Sequence, residues 1–203
     1  GERTLGRQEQ RKLDHYWVEK SGLPLLLLMD QAAAAAFHFL RLQVLHPESK
    51  ILLLAGPGMN GGDAWALARQ LLSLSSQITV IDFCPQKSLG EEAETMRTAA
   101  ARMGLPIFPA EESADFWNGL ERPDFIIEGM LGTGFSLERP LNAEMVLASV
   151  QLRAWQKLGS RVISLDLPAG VEATSGGVDP AVVKADLTLS FVLAKTGLCN
   201  MPG

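Results

Sequence analysis

The sequence is poor in cysteine, histidine, tyrosine and net positive charge. Two cysteines, Cys84 and Cys199, occur among 203 residues. They show no metal-ligand spacing, so neither a disulfide framework nor a zinc module organises this chain, and both read as buried thiols. Three histidines, His15, His38 and His46, are scattered, with no acidic or cysteine partner at ligand spacing, so they read as surface or structural residues. Lys and Arg number 18 against 23 Asp and Glu, a net charge of −5, which excludes a broad cationic surface and makes nucleic acid an unexpected partner. No low-complexity tract or internal repeat occurs. Long charge-free apolar runs are also lacking. The longest apolar stretch, Leu23 to Leu40, carries Asp30 and Gln31 at its centre and His38 near its end. An aspartate at mid-membrane costs about 2.5–3.5 kcal/mol, so the stretch reads as a buried helix. The mixed charge before it is unlike the basic start of a signal peptide. The expectation is a cytoplasmic protein without a membrane partner.

What is present is an ordinary globular composition, 47% hydrophobic and 20% charged, in a chain long enough for one α/β domain spanning residues 1–203. Two helical segments come first, about Gly6 to Lys20 and about Leu25 to Leu45, punctuated by Gly22 and Pro24. Strands and helices then alternate. Strands are expected at Ile51–Ala55, Ile78–Phe83, Ile107–Phe108, Phe125–Glu128, Val162–Asp166 and Leu187–Val192, and helices at Asp63–Leu74, Glu91–Met103 and Ala143–Lys157. The main strands are near-continuous apolar runs, which suits a sheet covered on both faces. The alternation predicts a three-layer, doubly wound parallel sheet with N-terminal helices. In such sheets ligands sit beyond the carboxyl ends of the strands.

Three loops follow strand ends. The first, Gly56-Pro-Gly-Met-Asn-Gly-Gly-Asp63, has four glycines in eight residues. Gly56, Gly58 and Gly61 match the dinucleotide fingerprint, and Asp82 stands where a ribose-binding acid would. Asp63 speaks against that reading: a carboxylate at the expected helix start would cap the first amides and repel a pyrophosphate. Gly61 and Gly62 would instead let a ligand approach the backbone, with Asn60 and Asp63 supplying polar contacts. The second loop, Glu128-Gly-Met-Leu-Gly132-Thr-Gly134-Phe-Ser136, offers amides for an anion-holding nest. The third, Asp166-Leu-Pro168-Ala-Gly170, sets an acid before a proline-fixed turn, which suits a positioned carboxylate. For each loop a plain turn or cap is the competing reading; together they favour one site.

These stretches, in this order, resemble the YjeF N-terminal domain family, whose enzymes are NAD(P)H-hydrate epimerases. Leu13-Asp14 and Gly22-Leu-Pro24 with Leu28-Met29-Asp30 resemble the family's helical lead-in. Gly56 to Asp63 is similar to its Gly-Pro-Gly-Asn-Asn-Gly-Gly-Asp loop, Glu128 to Gly134 to its Asp-x-x-x-Gly-Thr-Gly element, and Ser164 to Gly170 to its Asp-Ile-Pro-Ser-Gly element. Val183-Lys-Ala-Asp186-Leu-Thr188 and Lys195-Thr-Gly-Leu198 resemble its tail. The resemblance implies a Rossmann-like dimer that interconverts the R and S forms of NADH or NADPH hydrated at nicotinamide C6 (NADHX and NADPHX). The S form is the one a partner dehydratase uses. It implies Asp166 as acid/base. It implies substrate contacts at Met59, Asn60, Gly61, Gly62, Asp63, Gly132, Thr133, Gly134, Phe135 and Ser136. It implies a monovalent cation, potassium, at Asn60, Glu128 and Ala169. The family's last strand is missing from the sequence, so a fragment of a longer protein is expected, in which a dehydratase domain is fused or separate.

The chain departs from the family pattern at Met59 for Asn, Glu128 for Asp, Ala169 for Ser and Ala64 for Gly. Two other readings therefore stay open. One is a non-catalytic dimerisation or scaffold module of the same fold. The other is an ordinary NAD-dependent oxidoreductase built on Gly56, Gly58, Gly61 and Asp82.

Overall fold

The computed structural model describes residues 7–84 and 89–191. The sequence's tail motif at residues 195–198 and Cys199 lie outside them. Helices α1 (Arg7–Ser21) and α2 (Leu25–Gln43) lead into β1 (Ile51–Ala55), α3 (Met59–Leu71), β2 (Ile78–Asp82), α4 (Glu91–Arg102) and β3 (Ile107–Pro109). Then come α5 (Ala114–Gly119), β4 (Phe125–Gly129), α6 (Ala143–Lys157), β5 (Arg161–Leu165) and β6 (Leu187–Leu189). The six strands form one parallel sheet in the order β3-β2-β1-β4-β5-β6. This is the doubly wound arrangement, with its strand order reversing between β1 and β4.

The core follows from the parity of the central strands. Ile51, Leu53 and Ala55 of β1 point into one apolar cluster with α2, α3 and α4; Leu52 and Leu54 point into a second with α5 and α6. All five residues are buried, so the strand must be apolar throughout, as its sequence is. Trp117 fills the second cluster. It stacks at 6.1 Å on Phe83, meets Phe116 edge-on at 5.3 Å, and donates its indole N–H to the Glu111 carbonyl at 3.1 Å. The sequence reading lacked α5. Six residues are too few to show a period, and its signal is the cap: Ser113 Oγ accepts from the Phe116 amide.

Two expectations are corrected. The first concerns α2, which buries one face only: Met29, Ala33, Ala36 and Leu40 face the core while Leu27, Phe39 and Leu42 are exposed. Its 19 residues are long and apolar enough to cross a membrane by composition, but two contacts fasten it to α3. The Met29 methyl group fills the space a Cβ on Gly62 would need, at 2.4 Å, and Asp30 pairs with Arg69. The lead-in motif Leu28-Met29-Asp30 is thus a docking device for α3. The second correction is the start of α3. The helix begins at Met59, with Gly58 as its N-cap, so Asp63 lies in its second turn and not at its start. Asn60-Gly61-Gly62 has weak helix propensity; packing overrides it. A Cβ on Gly61 would lie 1.9 Å from the Gly56 carbonyl oxygen, and one on Gly56 would lie 1.7 Å from that of Met130. The glycines let the β1 and β4 loops and the first turn of α3 close onto one another.

Gly61→Ala is expected to destabilise the fold by about 3 kcal/mol or more, because its neighbour is backbone that cannot yield. Gly58→Ala, which meets open space, is expected to stay within about 1 kcal/mol of the parent. Urea denaturation of the two variants checks the difference; equal midpoints would contradict the packing argument.

Candidate functional site

The sheet's carboxyl rim at the β1/β4 reversal gathers the three loops predicted from sequence. Asn60, in the first turn of α3, is the link. Its Nδ2 donates to the Leu131 carbonyl at 2.8 Å and to the Leu165 carbonyl at 2.9 Å. One buried side chain therefore ties the loop after β4 to the residue before Asp166. The Gly56 amide donates to the Gly129 carbonyl at 3.1 Å, and a Cβ on Gly132 would stand 3.0 Å from the Asn60 Cβ. At these points the loops after β1 and β4 and the first turn of α3 lie in direct contact.

Glu128, at the end of β4, is buried beside its β5 register partner Ser164. Its Oε1 accepts from Ser164 Oγ at 2.7 Å and from the Ala169 amide at 2.9 Å, and its Oε2 from the Met130 amide at 3.4 Å. Burial pushes the Glu128 carboxyl up to about 8, against these three hydrogen bonds, which favour the charged form. Ser164 has no role in the sequence reading. Its signal is positional: it follows from the register of adjacent strands, which sequence alone does not supply.

Asp166 follows β5 and is half-buried. Its φ is +62°, and the Leu167 amide bonds back to the Leu165 carbonyl at 2.7 Å. The residue is therefore the centre of a γ-turn with left-handed φ, a strained form for any residue but glycine. Pro168 disfavours a helical conformation at Leu167, and the chain then turns at Gly170, φ +94°, with the Val171 amide on the Pro168 carbonyl at 3.0 Å.

The predicted substrate residues divide by exposure. Met59 and Gly134 are exposed; Asp63, Gly132, Thr133 and Ser136 are half-buried. Asn60, Gly61, Gly62 and Phe135 are buried, with Phe135 in the apolar cluster beneath the rim. The space left by the missing side chains of Gly61 and Gly62 is taken by Gly56 and Met29, not left for a ligand; this corrects the reason given for those glycines. Asp82 is likewise spoken for. Its Oδ1 accepts from the Cys84 amide at 2.7 Å, and its Oδ2 pairs with Arg97 at 3.2 Å. An acid so engaged is a poor ribose ligand, which weighs against the oxidoreductase reading. Cys84 is buried and forms no disulfide among the described residues. His15 does have an acidic neighbour one turn on, Glu19 at 3.1 Å, on the exposed surface.

The described residues hold no group of three or more His, Cys, Asp and Glu side chains suited to a metal ion. Oxygen donors for a hard cation are nonetheless present. Among the described residues, Asn60 Oδ1 is buried and accepts no hydrogen bond, and the buried Glu128 carboxyl has no cationic partner. Both features suit a small monovalent cation. Ala169 meets Glu128 through its amide.

A doubly wound α/β domain with its site on three rim loops is the class these features define. Residues 26–197 match the sequence profile described as YjeF-related protein N-terminus, and the chain belongs to that family. It is 32% identical over 197 residues to the bifunctional NAD(P)H-hydrate repair enzyme Nnr of Thermofilum pendens, covering 96% of this chain and 36% of that one. It is 29% identical over 193 residues to the NAD(P)H-hydrate epimerase of Rhodopirellula baltica, covering 94% and 75%. With that of Limosilactobacillus fermentum it shares 28% over 202 residues, covering 100% and 91%. The chain thus spans about a third of the bifunctional relative and most of the epimerases. The crystal structure of the yeast protein ynu0 superposes with a TM-score of 0.80 at 18% identity, over 98% of this chain and 84% of that one; it shares the fold.

The Glu128 carboxyl makes a pH prediction. Between the model-peptide value of 4.5 and about 8 the folded chain holds a proton that the unfolded chain has released. This contribution to stability is complete below pH 4.5 and is lost as pH rises through about 8. In potassium-free buffer the unfolding free energy is expected to decline from pH 5 to pH 8.5, and Glu128→Gln to decline less, by on the order of a few kcal/mol. Parallel profiles for the two proteins would refute the buried-acid assignment.

Proposed function

We propose that this chain epimerises hydrated NADH and NADPH, interconverting the R and S forms at nicotinamide C6, with Asp166 as the acid/base. The observation that carries the reading is the placement of Asp166: a half-buried carboxylate in a left-handed turn at the rim, one residue from a carbonyl held by Asn60. The names of the relatives as NAD(P)H-hydrate epimerases and repair enzymes supply the substrate class.

C6 of the hydrate bears a hydroxyl and the ring nitrogen. Inversion follows if the nitrogen lone pair expels the hydroxyl as Asp166 donates it a proton. Water and a ring iminium result. The ionised Asp166 then faces the cation and stabilises it. When water adds to the opposite face the carboxylate takes up its proton, and the acid is restored with no net change in atoms or charge. General acid–base help of this sort is worth about 10²–10⁴-fold. Met59 and Asp63 of α3 and the Gly132–Ser136 loop after β4 supply candidate contacts for the dinucleotide. Asn60, Glu128 and Ala169 would hold a potassium ion, which would supply positive charge to the site when bound. We further assign the chain to a homodimer in the cytoplasm that acts beside a dehydratase, fused or separate, which consumes the S form.

Asp166→Asn retains tolerance of left-handed φ and removes the acid. It is expected to lower epimerisation about 10²–10⁴-fold while leaving the thermal midpoint close to that of the parent. The measurement is the approach of purified S-NADHX or R-NADHX to the equilibrium mixture, followed by chromatographic separation of the isomers. A parent protein that leaves the spontaneous rate unchanged would instead favour a scaffold module.

A further inference from the structure

We infer that Asn60 and Glu128 are positioning residues for Asp166, holding its strained turn in place from either side whether or not a cation is bound. The inference rests on the acid/base reading of Asp166. Four hydrogen bonds carry it. The Leu165 carbonyl, before Asp166, accepts both the Leu167 amide at 2.7 Å and Asn60 Nδ2 at 2.9 Å. The Asp166 amide donates to the Leu189 carbonyl of β6 at 2.8 Å. Three residues on, the Ala169 amide donates to Glu128 Oε1 at 2.9 Å. A φ of +62° at a non-glycine residue persists only where the surroundings over-determine it, and these are the surroundings.

The geometry also accounts for the length of Glu128. Its Oε1 reaches Ser164 Oγ on the neighbouring strand at 2.7 Å and the Ala169 amide in the loop beyond. The carboxyl end of β4 and the loop after β5 are joined through one oxygen. Asn60 performs the matching task from the other side: its second Nδ2 bond, to the Leu131 carbonyl, fixes the side chain against the β4 loop. The turn is clamped between helix α3 and strand β4. The amide of Asn60 works as a donor here. Asn60→Asp keeps an oxygen where Oδ1 stands and replaces the donor with an acceptor that faces two carbonyls.

The test is residue-resolved amide exchange by NMR on the full chain, in buffer whose only cation is tetramethylammonium. Leu167 and Ala169 report the turn; Leu53, in the central strand, reports global opening. Asn60→Asp is expected to speed exchange at Leu167 at least tenfold, and Glu128→Ala to do the same at Ala169, with Leu53 unchanged. Glu128→Gln keeps an oxygen toward Ala169 and is expected to restore its protection to within threefold. Exchange at both amides within twofold of the parent in Asn60→Asp and Glu128→Ala would overturn the inference, because residues acting only through a bound ion change nothing when no such ion is present. Should those variants fail to fold, Asp166→Gly against Asp166→Ala decides. The glycine variant is expected to melt higher, the reverse of the usual order, and an alanine variant melting as high or higher would overturn the strained turn. In turnover, Glu128→Ala is expected to lower kcat more than tenfold with KM moving less than threefold. An inactive parent protein would defeat the epimerase reading and leave the exchange result standing, so the two failures are separable.

Discussion

The bifurcated reach of the Asn60 amide is the interaction on which the rim depends. One Nδ2 group meets the carbonyls of Leu131 and Leu165, so a single side chain from α3 unites loops that belong to β1, β4 and β5. This is possible because the backbone lies unusually close. Gly56, Gly61, Gly129 and Gly132 all stand where a Cβ would strike main chain or Asn60 itself. The glycine-rich loop is therefore less a cradle for a phosphate than a means of bringing three strand ends within hydrogen-bonding distance. A reading based on the dinucleotide fingerprint alone would assign the same glycines to the wrong partner.

The second constraint is electrostatic. Glu128 lies out of water with three hydrogen-bond donors and no cationic neighbour among the described residues. Donors reduce the cost of its burial without removing it, and the carboxyl stays well above the usual range. The same site holds a buried amide oxygen, on Asn60, without a donor among the described residues. Two incompletely compensated polar groups therefore lie at one rim, a concentration that buried sites ordinarily avoid.

Much of this was legible in the sequence. Near-continuous apolar runs between helices at regular spacing announce a covered parallel sheet, and β1 and α6 fall on the residues expected. The order of the loops gave the site its three components, because strand ends are where a doubly wound sheet can place them. The start of α3 was hidden because Gly61 and Gly62 read as a bend until their packing partners are known. The half-exposed character of α2 was hidden because its apolar residues are not confined to one face: Leu27, Phe39 and Leu42 are exposed. Ser164 could not be found without strand register. The conformation of Asp166 was hidden for the same kind of reason: a γ-turn centred on Asp leaves no composition signal, and only the neighbouring Pro168 hints at it. Local propensity failed most at the rim, which is where functional proteins break local rules.

The seating of the Met29 methyl in the notch at Gly62, with Asp30 paired to Arg69 nearby, carries a mechanical consequence. A displacement of the first turn of α3 would break contacts with the lead-in helix as well as with the rim. The glycine-rich turn is thereby anchored at once to the lead-in helix and to the loops after β4 and β5.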